Sequence, residues 1–183
     1  MSWIADNYGS RRGLLRYLHY EANWRLRPGR LTVPPLVGVQ RLVFVCKGNI
    51  CRSAMAEAVA RSVSFPACSY GLDTHFDKPA NPDMVRAARQ TGYDLESHQT
   101  TPFDDYENAA GDLVLAFEPQ HLEVLKAGRG EDWAIGLLGA WASPSLAYIH
   151  DPYGGSERYF HRVALRIEDA VKQLVKGIRS QND

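Results

Sequence analysis

The sequence predicts an α/β fold, a single domain built on a four-stranded parallel sheet flanked by helices. Three observations carry that expectation. Four short apolar runs rich in β-branched residues alternate with segments of helical periodicity, the pattern of successive strand–helix–strand units. The clearest of the runs are apolar throughout, as strands buried on both faces are. A length of 183 residues gives one domain with a sizeable core and leaves too little for two.

Along the chain, residues 11–30 (RRGLLRYLHYEANWRLRPGR) read first as a basic helix. They carry arginines 11, 12, 16, 25, 27 and 30 against one acid, Glu21. Leu14, Tyr17, Leu18 and Trp24 fall on one helical face, flanked by arginines. Arg27-Pro28-Gly29 is expected to stop this helix, and LTVPPLVGVQ (31–40) to follow as an extended, proline-containing connector. Residues 1–40 thus form a basic helical extension with its connector, and 41–183 the domain. RLVFVC (41–46) is the first strand, and Ser53 is placed to cap a helix over 53–63. PACSY (66–70) is a second, weaker strand. NPDMVRAARQTG (81–92) has proline at a helix start and glycine at its end. TPFDDYENAA (101–110) reads as a short helix, DLVLAF (112–117) as the third strand, and EPQHLEVLKAG (118–128) as a glycine-closed helix. WAIGLLG (133–139) is the fourth strand, and 156–178 a long amphipathic helix.

Lys plus Arg equals Asp plus Glu at 21 each, so the chain as a whole offers no attraction for nucleic acid or acidic substrates. The balance is local: 11–30 carries +5 and the remainder −5. Cys46, Cys51 and Cys68 are too few, and odd in number, for a secreted disulfide framework. No apolar stretch has membrane-spanning length, and the first residues lack a signal-peptide layout. A reducing cytoplasm is the expected compartment.

In open parallel sheets ligands bind beyond the carboxyl ends of the strands. One loop there stands out, VFVCKGNICRS at 43–53, where Cys46 and Arg52 are separated by five residues and Ser53 follows. A strand, a glycine-containing turn and a helix start make a nest of backbone N–H groups, a site for a tetrahedral oxyanion. Lys47, Gly48, Asn49, Ile50, Cys51, Arg52 and Ser53 would form that cradle. Arg52 adds a planar fork able to bond two phosphate oxygens. The same field favours a thiolate at Cys46, and the Ser53 hydroxyl can hold that sulfur. Asn49 suits a turn that needs left-handed backbone angles. A cysteine ending a buried strand is ordinarily only a small apolar residue; its place between strand and helix start is what points to chemistry.

The segment VFVCKGNICRSAMAEAVAR resembles the signature of the low-molecular-weight protein tyrosine phosphatases. SYGLDTHFDKPANP, GYDLESH, DLVLAFEPQHLEVL, LLGAWASPS and HDPYGGS follow in that family's order, so the likeness spans nearly all of 41–178 and is strongest to its bacterial branch. The resemblance implies phosphomonoester hydrolysis without metal or other cofactor, through a cysteinyl-phosphate intermediate. Cys46 would attack, Arg52 would bind phosphate, and Asp151 in the Asp-Pro-Tyr motif would serve as general acid and then base. It also implies that Ser69 and His98 hold the Asn49 side chain, and that Cys51 can form a protective disulfide with the nucleophile. The remaining histidines show no metal-ligand spacing. The expected partner is a phosphotyrosine protein, with a bacterial tyrosine kinase as one such partner.

Several positions depart from the commonest family pattern. Ala54 replaces a proline, Lys47 an apolar residue at the pocket mouth, Gly154 a second aromatic, and Phe117-Glu118 a Met-Asp pair. These leave Lys47, His75 and Tyr153 as the expected rim. Two rivals remain at this point. Arsenate reductase uses the same fold but passes oxidation along further cysteines, and none follows Cys68. A silent phospho-ligand or kinase-binding module has no need of Cys46, Arg52 and Asp151 together. The basic stretch 11–30 reads either as an extra packed helix or as a contact with an anionic membrane surface or a protein.

Overall fold

An unbroken apolar run fits only where both faces of a sheet are covered, and Leu42, Val43, Phe44 and Val45 have no exposed surface. They form β1 (Arg41–Cys46), which pairs in parallel with β2 (Ala67–Gly71) on one side and β3 (Asp112–Ala116) on the other. β4 (Ala134–Leu137) adds outside β3, giving the order β2-β1-β3-β4 with every strand parallel. The computed structural model describes residues 3–26, 33–127 and 133–182.

Alternate residues of the strands feed two apolar layers. Leu42, Phe44, Leu113 and Leu115 face a layer built with α3 (Arg52–Ser62), α4 (Pro82–Gln90) and α6 (Glu157–Asn182). Val43, Val45, Val114 and Ala116 face the other, covered by Leu122 and Leu125 of α5 (Pro119–Ala127) and by Phe103 and Tyr106. The chain leaves β1 for β2, then returns across β1 to β3, so the direction of winding reverses between β1 and β3. A crevice opens there, beyond Cys46 and Ala116. α4 starts as its sequence predicts: Asn81 Oδ1 accepts from the N–H groups of Asp83 and Met84, and Pro82 takes the first position.

Four elements differ from expectation. The 101–110 stretch winds only a 3-10 turn, Phe103–Asp105, because Phe103 and Tyr106 stack at 5.2 Å beneath the sheet instead of following a helical face. The fourth strand stops at Leu137, and Leu138–Trp141 coils as a second 3-10 turn. α3 begins at Arg52, and its preceding residue Cys51 provides no side-chain cap; the Ser53 hydroxyl is committed elsewhere. α6 runs on to Asn182.

Ahead of the sheet stand α1 (Trp3–Tyr8), unforeseen, and α2 (Arg11–Leu26). The face that α2 packs inward comprises Gly13, Tyr17, Tyr20, Glu21 and Trp24, while Leu18 is 53% exposed. Of the expected apolar face, Leu14, Tyr17 and Trp24 are half-buried as expected, and only Leu18 is turned outward. In the connector Leu36 and Val39 are buried in the core layer of α6. The expected stop at Arg27-Pro28-Gly29, the first two connector residues and the closing Gly128 lie outside the described residues. Among the described residues no helix is long and apolar enough to cross a membrane.

Candidate active site

The turn after β1 is held by one asparagine. Asn49 has φ +53°, the left-handed region that asparagine tolerates better than most residues. Its amide is fully buried: Nδ2 donates to Ser53 Oγ and to Ser69 Oγ, each at 2.8 Å, and Oδ1 accepts from the Thr101 N–H at 2.9 Å. Because a main-chain N–H can only donate, Thr101 fixes which end of the amide faces it. Ser69 donates in turn to Glu57 Oε2 at 2.5 Å. His98 binds the Asn49 main-chain carbonyl, Nε2 to O at 2.7 Å, so it supports the backbone of Asn49 and not its side chain. Thr101 and Glu57 complete this support without any motif of their own. Gly71 is required beside it, since a Cβ there would stand 2.7 Å from Thr74 Cγ2 and 3.1 Å from Asn49 N.

Cys46 closes β1 with its Sγ 3.0 Å from Ser53 Oγ. Asn49 already donates to that oxygen, so the serine's own hydrogen has two acceptors within reach, the Cys46 sulfur at 3.0 Å and the Tyr70 carbonyl at 3.5 Å. Cys51 is the last residue before α3, and burial, with Asp151's charge adding, pushes its thiol far above its ordinary range. The two cysteines of the loop therefore sit in chemically different places. Cys46, Cys51 and Cys68 are free thiols.

Arg52 is 1% exposed in the first turn of α3. Burial works against its charge, but Asp151, Glu118 and Cys46 outweigh it and hold the guanidinium protonated. Nη1 donates to Glu118 Oε1 at 2.9 Å and to the Ile149 carbonyl at 3.0 Å, and Nη2 to Asp151 Oδ2 at 3.0 Å. Nε has no partner among the described residues. Of five N–H hydrogens three are thus engaged, and Nε–H and one Nη2–H remain. Arg41 shows the same guanidinium edge in use, with Nε and Nη2 gripping the two oxygens of Asp112 at 2.7 and 2.5 Å. Glu118, met in the sequence only as a departure, is thus a buried partner of Arg52. His121 Nε2 lies 3.2 Å from the same Glu118 oxygen; burial lowers its pKa, more than Glu118 raises it.

A pocket of about 240 Å³ opens at this point, lined by Cys46, Lys47, Gly48, Ile50, Cys51, Arg52, Asp151 and Tyr153. That is below the roughly 300–1,000 Å³ of drug-sized sites and suits a single headgroup. Asn49, Ser53, Ser69 and His98 are not among the lining residues; they form the support described above. His75 does not line it either: it is exposed beyond β2, its carbonyl accepting from Thr100 Oγ1 at 2.5 Å. Lys47 reaches out to Asp73 at 3.9 Å in an exposed pair of little energetic weight. Tyr153 is 69% exposed and donates its main-chain N–H to Asp151 Oδ1 at 3.2 Å. Among the described residues no group of three or more His, Cys, Asp or Glu is placed to hold a metal ion.

The family model described as low molecular weight phosphotyrosine protein phosphatase matches residues 41–183. The chain belongs to that family. Its relatives include the protein-arginine-phosphatase of Bacillus subtilis, 30% identical over 146 residues that cover 75% of this chain and 96% of the relative. The low molecular weight protein-tyrosine-phosphatase of Streptomyces coelicolor is 32% identical over 157 residues, 77% of this chain and 94% of its own. The tyrosine phosphatase Wzb from Escherichia coli, solved in complex with sulphate, aligns with a TM-score of 0.64 at 27% identity, covering 75% of this chain and 97% of that one. As a low molecular weight phosphatase the chain carries a cysteine, Cys46, at the end of β1 where the loop begins, which fits a cysteine-based mechanism. α1 and α2 precede the matched segment.

Proposed function

We propose that this phosphatase removes phosphate from tyrosine in proteins, with Cys46 as nucleophile, Arg52 and the amides of 47–53 as the phosphate cradle, and Asp151 as acid and base. The observation that carries it is the shared pocket, which Cys46, Arg52 and Asp151 all line, with one guanidinium edge unclaimed. The Cys46 sulfur attacks phosphorus as the thiolate, its proton already lost to solvent, while the bond to the tyrosine oxygen breaks. A proton from Asp151 goes to that oxygen, which would otherwise leave as a phenolate of pKa about 10. Nε–H and Nη2–H of Arg52 take two equatorial oxygens, and the loop amides take the rest. Water then attacks phosphorus and gives its proton to Asp151. The P–S bond breaks toward sulfur, which the Ser53 hydroxyl receives.

The Bacillus subtilis relative gives a second reading, phosphoarginine. The rim here argues against it. The charge of Lys47 repels a guanidinium and not a neutral phenyl group, while the Tyr153 ring can stack on either. A panel of one peptide phosphorylated on tyrosine, serine, threonine or arginine decides. The expected result is a kcat/KM for phosphotyrosine at least about tenfold above the others; a higher value for phosphoarginine overturns the tyrosine reading. A tyrosine kinase as phosphoprotein partner rests on the sequence resemblance.

The outward face of α2 supports a membrane contact as a further partner reading. Leu15 is 66% and Leu26 79% exposed, Arg11, Arg12, Arg16 and Arg25 are exposed around them, and the helix's lone acid, Glu21, is turned inward. Co-sedimentation with phosphatidylserine vesicles is expected, weakening with salt and with Arg11→Glu/Arg12→Glu/Arg16→Glu. Equal behaviour with neutral vesicles rejects it.

A further inference from the structure

We infer that α1 and α2 position the segment that carries Asp151, with Glu21 as the positioning residue that fixes its main chain. This rests on Asp151 being the proton donor.

The segment from Leu146 to Asp151 belongs to no helix or strand, so each of its main-chain groups must find its own partner. The domain supplies some of them. Leu146 N–H donates to the Gly139 carbonyl at 2.8 Å, Ile149 N–H to the Phe117 carbonyl at 2.9 Å, and the Ile149 carbonyl accepts from Arg52 at 3.0 Å. Between these ties lies the buried N–H of Ala147, and its acceptor comes from α2, Glu21 Oε1 at 2.8 Å. Glu21 is 6% exposed, and among the described residues its nearest cation, the exposed Arg25, stands 4.0 Å away. A carboxylate is costly to bury without hydrogen bonds, whereas the same residue on the outer face of this basic helix would be solvated and paired. Its inward place ties the helix to a main-chain position four residues before Asp151.

Rings extend the contact along the segment. Tyr20 packs on Tyr148 at 4.9 Å, Tyr148 meets His150 edge-on at 5.4 Å, and His150 Nδ1 shares a hydrogen bond with the Tyr159 hydroxyl at 2.7 Å. Gly13 lets α1 and α2 close on each other beside this chain of rings, since a Cβ there would stand 2.0 Å from the Tyr8 carbonyl oxygen and 3.2 Å from His150 Nε2. On the far side of Asp151, Asp6 accepts from Ser156 Oγ at 2.8 Å and lies 3.6 Å from Arg158. The two helices therefore grip both flanks of the acid. They lie outside the stretch that the family model matches, so the brace is additional to the matched domain.

The test uses the full chain and a series of aryl phosphates whose phenols rise in pKa, read as kcat/KM, which covers the steps through P–O cleavage. Proton delivery matters more as the leaving phenol becomes less acidic. Asp151→Asn is expected to lose about 10²–10⁴-fold on phenyl phosphate and far less on the most acidic phenol. Glu21→Ala should fall the same way by about tenfold on phenyl phosphate, with inhibition by inorganic phosphate unchanged. Glu21→Gln, which keeps an acceptor oxygen, should return to the wild-type dependence. If Glu21→Ala does not fold, Tyr20→Ala leaves Glu21 in place and reads the same dependence. Equal losses across the series, or none, with a steep series for Asp151→Asn, overturn the brace alone. A flat series for Asp151→Asn overturns the acid assignment, and the brace with it.

Discussion

Cys46→Ser will abolish phosphate-ester hydrolysis while the fold and the affinity for phosphate persist. Cys46 is buried at the end of β1, where a serine of nearly the same shape exchanges a sulfur–hydroxyl contact with Ser53 for a hydroxyl–hydroxyl one. A serine hydroxyl is a weak nucleophile without an adjacent base, and the pocket is lined by no histidine; its carboxylate, Asp151, is proposed for the leaving group. The expected fall in kcat on p-nitrophenyl phosphate is at least about 10⁴-fold, in keeping with removal of a nucleophile elsewhere. Phosphate binding, measured by calorimetry, should stay within about threefold, because Arg52 and the loop amides are untouched. Cys51→Ser is the internal comparison: its thiol is held protonated by burial, and the variant should keep most activity. Hydrolysis by Cys46→Ser at the wild-type rate would remove the nucleophile assignment. An inert wild-type protein would favour the binding-module reading.

What the sequence discloses and what it hides follow from the range of the interactions. The strands are legible because burial on both faces leaves an unbroken apolar run, as in 42–45, and the loop is legible because strand, nest and helix start are consecutive. Interactions between distant segments leave no such trace. Glu118 looks like a variant residue until β3 places it against Arg52, and Thr101 offers Asn49 a main-chain hydrogen that no side chain announces. The inward place of Glu21 on α2 has the same cause. Helical periodicity rewards apolar residues and sets Glu21 aside as solvated, but that carboxylate is turned inward by one N–H 126 residues away. The short turn at Phe103–Asp105 likewise depends on rings that pack under another strand, which no local propensity encodes.

Arg52→Lys should lower kcat/KM by about 10³-fold or more, and unlike Cys46→Ser it should weaken inhibition by phosphate as well. The guanidinium performs two tasks with one plane. Three of its hydrogens are engaged by Glu118, the Ile149 carbonyl and Asp151, which hold it in place, and Nε, which has no partner among the described residues, forms with Nη2 the edge proposed to take phosphate. A lysine presents three donors from a single atom, so it cannot keep those three partners and also grip two oxygens. Losing one such donor costs about 10²–10³-fold, and here two are lost. The positive charge is retained opposite Glu118, so the variant should stay folded, whereas Arg52→Ala strands that buried carboxylate at a cost of about 3–5 kcal/mol, visible in a denaturant melt. Wild-type phosphate inhibition in Arg52→Lys would mean that the loop amides alone hold the phosphate, and that Arg52 serves to fasten Asp151 and Glu118 to the mouth of the loop.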